Sequence, residues 1–551
     1  MRSKPSLVAK AMRRTDWSIM FFAILIISIV IFTNSSSSTN DSKFSQRIVV
    51  KTLEKPKARL ISVQVVHRHG ARTTLSQTPY WPNLEFGNCT DLYPGLSIQL
   101  RDETGLPEAP PILDLGSKKL PGGCRMGQLT FAGHDMAVEL GTWLRERYVN
   151  QLGFLPPTLE PAAMSLRTTC IQRTGQTLHG VLSGLYPGFQ GPVVVNASLE
   201  KYEFEYGKNT TCPALGPILD KTHALMRARD MESTHMKQLV DKIKAALQLP
   251  SSDEDEPLNW IWLYDELAAI KAEGMPLPPG LEDDSIFRII EQQATKHEAP
   301  LSSPSVGDGL LDEENCKRVI QMSIGPLVWR LGANMQMAAM QAETLDDDVL
   351  SSFRFGRKGL RQEALTSTSS SSALLKGTHT VVSGTVSATE GSNMVNNTSK
   401  SSHHSVPDKG SWRPPLMHVY SGHDSTVSPL LVLLTRKTQD SWPPFTANLV
   451  FELWDLEANQ EEEGEIRQQL LRQAAEKRGD ATVGSGKPMI TKPKHDGRYA
   501  VRVLYNRKPL ILGGSNAGSG GFLTLTNFIE KFVTPYALTD KGKSSLCNPT
   551  E

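Results

Sequence analysis

The sequence lacks several features that would indicate a structural or functional class of protein. Its 551 residues carry 59 Lys+Arg against 58 Asp+Glu, so it lacks the basic excess of a general nucleic-acid binder. Its six cysteines show no cysteine–histidine spacing typical of zinc. It has no internal repeats, so a repeat architecture is not indicated. We therefore expect neither nucleic acid nor a metal ion as a partner.

Length and composition limit the domain organisation. A single core rarely grows beyond about 250–300 residues, so we expect one large catalytic domain with a subdomain and insertions, or two domains. The hydrophobic fraction of 39% is modest and predicts that part of the chain is unpacked.

One long apolar run lies near the N-terminus. Residues 1–16 form a basic tail, and Trp17–Thr33 is uncharged, close to the lower limit of about 17–25 residues for a spanning helix. A basic tail stays cytosolic. This predicts a signal-anchor at residues 17–33 and a single-pass type II protein of the secretory pathway, in the Golgi or ER lumen or at the cell surface.

Two other targeting signals fit this run less well. A cleaved signal peptide would have a shorter apolar region, about 7–15 residues, ending in an Ala-x-Ala-like site, and would give a secreted protein. A mitochondrial presequence would be amphipathic and rich in arginine, whereas this run is continuously apolar.

Cysteines and glycosylation sequons agree with a lumenal location. The even number of cysteines is compatible with disulfides, although six allow 15 pairings and could also be buried thiols. The Asn-x-Ser/Thr sequons, which predict a glycoprotein, are at Asn34, Asn40, Asn88, Asn196, Asn209, Asn396 and Asn397.

Composition divides the chain into a stem, a folded body and two insertions. Residues 34–45 are rich in serine and asparagine, which predicts a flexible stem at residues 34–56. Residues 57–545 form the predicted catalytic domain, with a mostly helical cap at about 196–325. A Ser/Thr/Gly-rich insertion at about 351–415 is predicted to be disordered, and a second, charged insertion covers about 456–495.

Hydrophobic periodicity predicts an α/β sandwich, a mixed sheet flanked by helices and carrying the helical cap. The predicted helices outside the cap are Phe131–Val149 and Arg167–Leu185. The predicted strands are Arg59–Val66, Val193–Val195, Leu416–Tyr420 and the antiparallel pair Asn448–Trp454 and Tyr499–Tyr505.

Histidines and arginines crowd against two strand ends. His69 and His423 each follow an apolar strand, where reactive residues collect in open α/β sheets. Arg68 and Arg72 flank His69, and arginine forks bind phosphate in a bidentate manner. Gly70 would let the backbone approach a ligand. These residue types predict a site for a phosphoryl dianion.

The same residues predict covalent catalysis. Histidine forms covalent intermediates, and the neighbouring cations keep His69 unprotonated. A departing alkoxide needs a proton, and Asp424 beside His423 could supply it as a general acid. The predicted nucleophile is therefore His69 and the predicted acid is Asp424.

The arrangement resembles the histidine acid phosphatase family, which includes acid phosphatases and phytases. The family's Arg-His-Gly-x-Arg-x-Pro motif matches residues 68–74, and its late His-Asp matches His423-Asp424. Arg167-Thr168-Thr169 matches a third element before a helix, followed by Arg173-Thr174. Residues 127–133 and 322–331 are most similar to the lysophosphatidic acid phosphatase subgroup.

The resemblance implies a phosphoglycerate-mutase-like α/β sandwich and a phosphomonoester hydrolase with a phosphohistidine intermediate. It implies that Arg68, Arg72, Arg167 and His423 bind phosphate, that His69 and Asp424 carry the chemistry, and that no cofactor is used. The expected partner is a small phosphomonoester, either resembling lysophosphatidic acid or a phosphosugar. A phytase or inositol polyphosphate phosphatase is the alternative.

One departure from the family motif motivates a further alternative. Thr74 replaces the usual proline, which raises the possibility of a non-catalytic, membrane-tethered phosphate-binding protein. We also interpret His67 as structural, because strand alternation directs it away from Arg68. Trp262 and Tyr264 are expected in the core of the cap rather than in a lipid groove.

Overall fold

The computed structural model describes most of the predicted catalytic body, in one compact unit within Pro56–Glu551. The predicted tail, anchor and stem (residues 1–56) lie outside the described residues, as do nearly all of both predicted insertions. Among the described residues, no helix combines the length and apolarity needed to cross a membrane. The described residues are 58–76, 81, 84–89, 96–102, 118–208, 210–248, 258–302, 313–359, 414–437, 439–456, 497–513 and 521–548.

A mixed sheet forms the centre of the fold. Its strand order is β2-β4-β3-β5-β1-β6-β7-β8, and β9 pairs with β7. The strands from β2 to β1 in that order run parallel, and β6 and β7 are antiparallel to their neighbours. The strands are β1 (Ala58–Arg68), β2 (Leu96–Asp102), β3 (Met164–Thr168), β4 (Gly191–Ala197), β5 (Met417–Gly422), β6 (Asn448–Leu456), β7 (Tyr499–Tyr505), β8 (Lys508–Pro509) and β9 (Phe522–Thr524).

Helices cover both faces of the sheet, as the predicted sandwich requires. The helices of the described residues are α1 (Phe131–Arg145), α2 (Gln172–Leu185), α3 (Leu215–Glu232), α4 (Thr234–Ala246), α5 (Trp260–Ala272), α6 (Asp284–Ser302), α7 (Glu313–Gly359), α8 (Asp424–Thr435), α9 (Leu525–Phe528) and α10 (Asp540–Cys547).

Two apolar cores lie on opposite faces of the central strand β1. Val65 belongs to the core that includes Leu140 of α1 and Val181 of α2. Val66 belongs to the other core, with Leu327 of α7. Because consecutive side chains of a strand point to opposite faces, a strand buried on both sides must be continuously apolar. The apolar run that predicted this strand in the sequence is therefore explained by burial on both faces.

The helices α3–α6 form the predicted cap. Trp260 and Leu267 of α5 share an apolar core with Ile286 and Ile290 of α6. Trp442, from the segment between α8 and β6, packs into the same core. The cap is therefore joined to the sheet domain through a residue close to the predicted site.

Three details correct the predicted elements. The segment Arg167–Leu185 is not all helix: β3 ends at Thr168, and α2 begins only at Gln172, because Met164–Thr168 is paired in parallel with β5. Strand β2 was not predicted. Helix α7 continues to Gly359, past the predicted start of the first insertion at Ser351. The predicted antiparallel pair is confirmed by β6 and β7.

Four of the six cysteines form disulfides. Cys89 pairs with Cys124, and Cys212 pairs with Cys547. The second bond ties the start of the cap to the C-terminal helix α10. Cys170 and Cys316 are buried.

Candidate active site

The site forms where three parallel strands end side by side. Arg68 at the end of β1 is in register with Gly422 at the end of β5, and Thr168 of β3 is in register with Ser421. The ladder continues for one more residue, because the amide of His69 donates to the carbonyl of Gly422 at 3.0 Å. His69 and His423 therefore leave neighbouring strands together, and their ring centroids lie 5.5 Å apart.

His69 is held as a neutral imidazole. Its Nδ1 lies 2.8 Å from the carbonyl oxygen of Gly70, so Nδ1 carries the proton and Nε2 keeps its lone pair. Burial lowers the pKa of His69 well below its usual value, and the nearby charges of Arg173, Arg68 and Arg72 lower it further. The ring is thus prepared for nucleophilic attack through Nε2.

Gly70 packs closely against two helices. A Cβ at this position would overlap the backbone of Gly133 in α1. The amide of Gly70 donates to the Thr177 hydroxyl of α2 at 3.0 Å. The glycine therefore allows close packing of the loop on the helices.

Three buried arginines surround His69, and the third is Arg173 of α2 rather than Arg167. Arg68 donates to the carbonyl of Pro443 at 2.6 Å and pairs with Asp424 at 2.8 Å. In the described part of the chain, Nε of all three arginines and Nη1 of Arg173 are buried without a hydrogen-bond partner. Buried donors normally have partners, and the oxygens of a phosphoryl group would satisfy these.

Arg167 does not line the site. Its guanidinium pairs with Glu205 at 2.5 Å and Glu203 at 3.0 Å, and it donates to the Ser198 hydroxyl at 3.0 Å. It also stacks on Phe204 at 3.7 Å. The predicted phosphate-binding role of Arg167 is therefore corrected, because two buried carboxylates already engage its charge. Arg173, six residues later, lines the cavity instead.

His423 lies on the other side of the site from His69. Its Nε2 is 3.0 Å from the hydroxyl oxygen of Thr169, which follows β3. The ring of Tyr206 meets it edge-on, with centroids 5.1 Å apart. Burial lowers the pKa of His423 well below its usual value; Arg173 adds to this effect and Asp424 opposes it.

Asp424 is the first residue of α8 and is ionised. Burial alone would raise its pKa, but the charges of Arg68 and Arg72 outweigh burial and lower that pKa to about 2. The indole of Trp442 donates to Oδ2 at 3.1 Å, and the amide of Ser425 donates to Oδ1 at 2.9 Å. The carboxylate is thus fixed beside the arginines in its ionised form. In this form it accepts hydrogen bonds and has no proton to donate.

The cap contributes groups that the sequence did not identify. Asp265 of α5 accepts from both terminal nitrogens of Arg72, at 2.6 and 3.1 Å. Tyr206 is buried, and its hydroxyl has no hydrogen-bond partner among the described residues. Of the site residues that were not assigned from the sequence, only Arg173 had a sequence signal, which is its position at the family's spacing after Arg167. Asp265 and Tyr206 had none, because both lie in the part of the chain without a recognisable motif.

A cavity of about 310 Å³ opens above the two histidines. Apolar side chains form much of its wall, and Leu75 and Trp262 at the mouth are 46% and 54% exposed. Trp262 was expected in the core of the cap, as Tyr264 is; the turn of α5 directs it to the cavity instead. The lining residues are His69, Arg72, Leu75, Ser76, Ile171, Arg173, Tyr206, Gly207, Lys208, Ile261, Trp262, Asp265, Glu266, Glu298, His423, Asp424, Ser425 and Trp442.

The loop that carries Thr74 is fixed without the family's proline. The amide of Gly127 donates to the carbonyl of Thr74 at 2.8 Å. The Thr73 hydroxyl donates to the carbonyl of Arg125 at 2.7 Å. These bonds supply the stiffness that a proline would give, so Thr74 is a weak argument for a non-catalytic protein.

Two other predictions concern residues outside the reacting centre. His67 is buried, its Nδ1 lies 3.1 Å from the carbonyl oxygen of Arg68, and burial lowers its pKa to about 4. It does not line the cavity, in agreement with a structural role. Among the described residues, no group of three or more His, Cys, Asp or Glu side chains is arranged to hold a metal ion.

Comparison with known proteins agrees with this geometry. Residues 59–268 match the family described as the histidine phosphatase superfamily (branch 2). The chain is 28% identical over 297 residues to human "Lysophosphatidic acid phosphatase type 6", covering 53% of this chain and 65% of that protein. It is 27% identical to "Counting factor 60" of Dictyostelium discoideum, covering 44% and 60%. The chain thus spans just under two thirds of the length of these relatives.

Among solved structures, the chain is similar to the phytase of Hafnia alvei in complex with myo-inositol hexakis sulphate. The identity is 14%, the TM-score is 0.45, and the match covers 90% of this chain and 99% of that one. The segment that matches the family model, residues 59–268, includes His69 and the three arginines that surround it, Arg68, Arg72 and Arg173. Residues 59–268 of the chain are thus similar to the histidine phosphatase superfamily (branch 2).

Proposed function

We propose that the protein is a phosphomonoester hydrolase that works through a phosphohistidine at His69. The observation that carries this proposal is the set of buried, unpartnered guanidinium N–H groups of Arg68, Arg72 and Arg173 around a neutral imidazole. Preorganised donors of this kind stabilise the negative charge that spreads over a transferring phosphoryl group.

The reaction has two balanced steps. In the first, Nε2 of His69 attacks phosphorus, the bond from phosphorus to the ester oxygen breaks, and the departing oxygen takes a proton delivered by Asp424. In the second, water attacks the phosphohistidine, the N–P bond breaks, and the Asp424 carboxylate accepts the proton of the water. Inorganic phosphate and neutral His69 are then restored.

Substrate binding would change the protonation of Asp424. Arg68 is the nearest partner of its carboxylate, at 2.8 Å. An incoming phosphate competes for this guanidinium and adds negative charge beside the carboxylate, and both effects raise the pKa of Asp424 from about 2. The carboxyl group therefore becomes a competent acid only when substrate is bound.

For the leaving group, we propose an acyl chain, as in lysophosphatidic acid. Leu75, Ile261 and Trp262 supply apolar surface at the mouth of the cavity. Beyond the arginines, Lys208 is the single cationic side chain among the described residues of its lining. An inositol polyphosphate would need more positive charge to hold its remaining phosphates, and a phosphosugar would make little use of the apolar rim.

A substrate panel tests this assignment. We expect kcat/KM for lysophosphatidic acid to exceed the values for a hexose phosphate and for inositol hexakisphosphate. Trp262→Ala should raise KM for lysophosphatidic acid by about tenfold, because about 1–2 kcal/mol of apolar contact is lost. It should leave KM for the hexose phosphate nearly unchanged. Phe131→Ala is the matched control, because Phe131 is also exposed but does not line the cavity. A preference for inositol hexakisphosphate would contradict the proposal.

We further propose that the basic tail and apolar run of residues 1–33 anchor the protein, with the catalytic body in the lumen of the secretory pathway or outside the cell. The exposed position of Asn88, within a sequon of the folded body, supports this topology. The full chain should stay in the membrane pellet after carbonate extraction and lose mass with an endoglycosidase. A soluble, unglycosylated protein in the cytosol or mitochondria would contradict it.

A further inference from the structure

One carboxyl group of the cavity has no part in the scheme above. Glu298 lies near the end of α6 and lines the same cavity as His69 and Asp424. Its side chain is partly buried. Helix α6 packs directly against α8, the helix that begins with Asp424. Two carboxyl groups from different helices therefore border the space above the nucleophile.

The two carboxyl groups are in opposite protonation states. The pKa of Asp424 is lowered to about 2, so this group is ionised. Burial raises the pKa of Glu298 well above its usual value; the negative charge of Asp424 raises it further, and Arg68 opposes both effects. Paired carboxyl groups whose surroundings separate their pKa values are typical of an acid and a base that share one proton.

Charged groups from several elements line the cavity around this pair. Asp424 and Arg68 act on Glu298 from the main body. The cap helix α5 and the segment before α3 add further groups, and none of them engages Asp424 as closely as Arg68 does. The other charged residues of the lining are Arg72, Arg173, Lys208, Asp265 and Glu266.

We propose that Glu298 stores the proton that Asp424 delivers to the leaving oxygen. The proposal deepens the proposed phosphatase function and rests on it. When the phosphoryl group engages Arg68, the proton passes from the Glu298 carboxyl to the Asp424 carboxylate and then to the ester oxygen. After water attacks the phosphohistidine, its proton returns through Asp424 to Glu298. Glu298 acts through Asp424 and is thus a positioning residue for the proton.

The sign of the pH dependence follows from the protonation states. Glu298 holds its proton below its raised pKa and loses it as the pH rises through that value. The stored proton is therefore available at pH values below the raised pKa of Glu298 and above the lowered pKa of Asp424, where Asp424 before substrate binding is already ionised. For substrates whose leaving group must be protonated, turnover should fall as the pH rises. The pH at which this alkaline limb of the pH–rate profile lies should depend on Glu298.

The test compares Glu298→Gln with the native chain on two substrates. Glycerol 2-phosphate has an alkoxide leaving group that requires a proton, and p-nitrophenyl phosphate scarcely requires one. We expect Glu298→Gln to lose about 10²-fold in kcat/KM on glycerol 2-phosphate and less than about threefold on p-nitrophenyl phosphate. Its alkaline limb on glycerol 2-phosphate should move to lower pH, and Glu298→Asp should recover part of the loss.

Two further variants provide a positive and a negative comparison for Glu298→Gln. Asp424→Asn should show the same substrate dependence, because it removes the group that delivers the proton. Glu291→Gln is the control on the same helix: Glu291 accepts from the Tyr264 hydroxyl at 3.3 Å and does not line the cavity. It should match the native chain on both substrates.

The failures of the two proposals can be distinguished. If the native chain releases no phosphate from either substrate, the phosphatase function itself is wrong. If the native chain is active and Glu298→Gln keeps its rate and its alkaline limb on glycerol 2-phosphate, the proton store is wrong and the phosphatase remains. An equal loss on both substrates would also overturn the proton store, since it would indicate a structural role.

Discussion

His69→Ala is expected to abolish phosphate release from p-nitrophenyl phosphate, with a loss of at least about 10³-fold in kcat. The variant removes the only side chain in the scheme that forms a bond to phosphorus. Burial and the neighbouring guanidinium charges keep the native ring neutral and nucleophilic, and no other side chain in the scheme can replace it. His134→Ala is the control, because His134 lies in α1 and does not line the cavity.

Trapping with labelled substrate identifies the intermediate directly. A phosphohistidine is stable in base and labile in acid, so a base quench should retain label on the native chain and an acid quench should release it. The His69→Ala chain should retain none. Label that survives acid, or that persists without His69, would assign the covalent step to another residue.

The second large effect separates two arginines that lie six residues apart in the sequence. Arg173→Met should weaken inhibition by vanadate by about 10²-fold or more, because charge-assisted hydrogen bonds to the anion are lost. Its stability should be unchanged or higher. Burial and the charge of Arg72 lower the pKa of Arg173 to about 9, so the native fold disfavours this buried cation.

Arg167→Met should show the opposite pattern. It leaves Glu203 and Glu205 buried without their cation, which costs about 3–5 kcal/mol in the free energy of unfolding. Urea unfolding and vanadate inhibition, measured on both variants, make the comparison. If Arg167→Met lost vanadate binding at undiminished stability, the assignment of the two arginines would have to be exchanged.

The sequence was sufficient for the parts of the site that follow strands. A strand buried on both faces must be apolar, so β1 and β5 were recognisable, and His69 and His423 had to emerge at the same edge of the sheet. The choice between Arg167 and Arg173 could not be made in this way. It depends on Glu203 and Glu205, which reach Arg167 from a segment about 40 residues later and give no local signal.

The cap was the least predictable part for a similar reason. Its helices have ordinary amphipathic patterns, which do not say which exposed residues will face the sheet domain. Asp265 and Glu298 are indistinguishable in the sequence from solvated acids. Trp262 and Tyr264 are two positions apart on α5, and the helical turn sends one to the mouth of the cavity and the other to the core.

The bond between Cys212 and Cys547 has a consequence for how the chain can come apart. The two cysteines are 335 positions apart, and the residues between β5 and α7, like those between β6 and β7, fall inside the closed ring. A protease that cuts once in either of these connections opens the ring without separating its halves. The two pieces stay joined by the disulfide, so after a cut between α7 and β5 His69 and His423 remain covalently connected until a reductant breaks that bond.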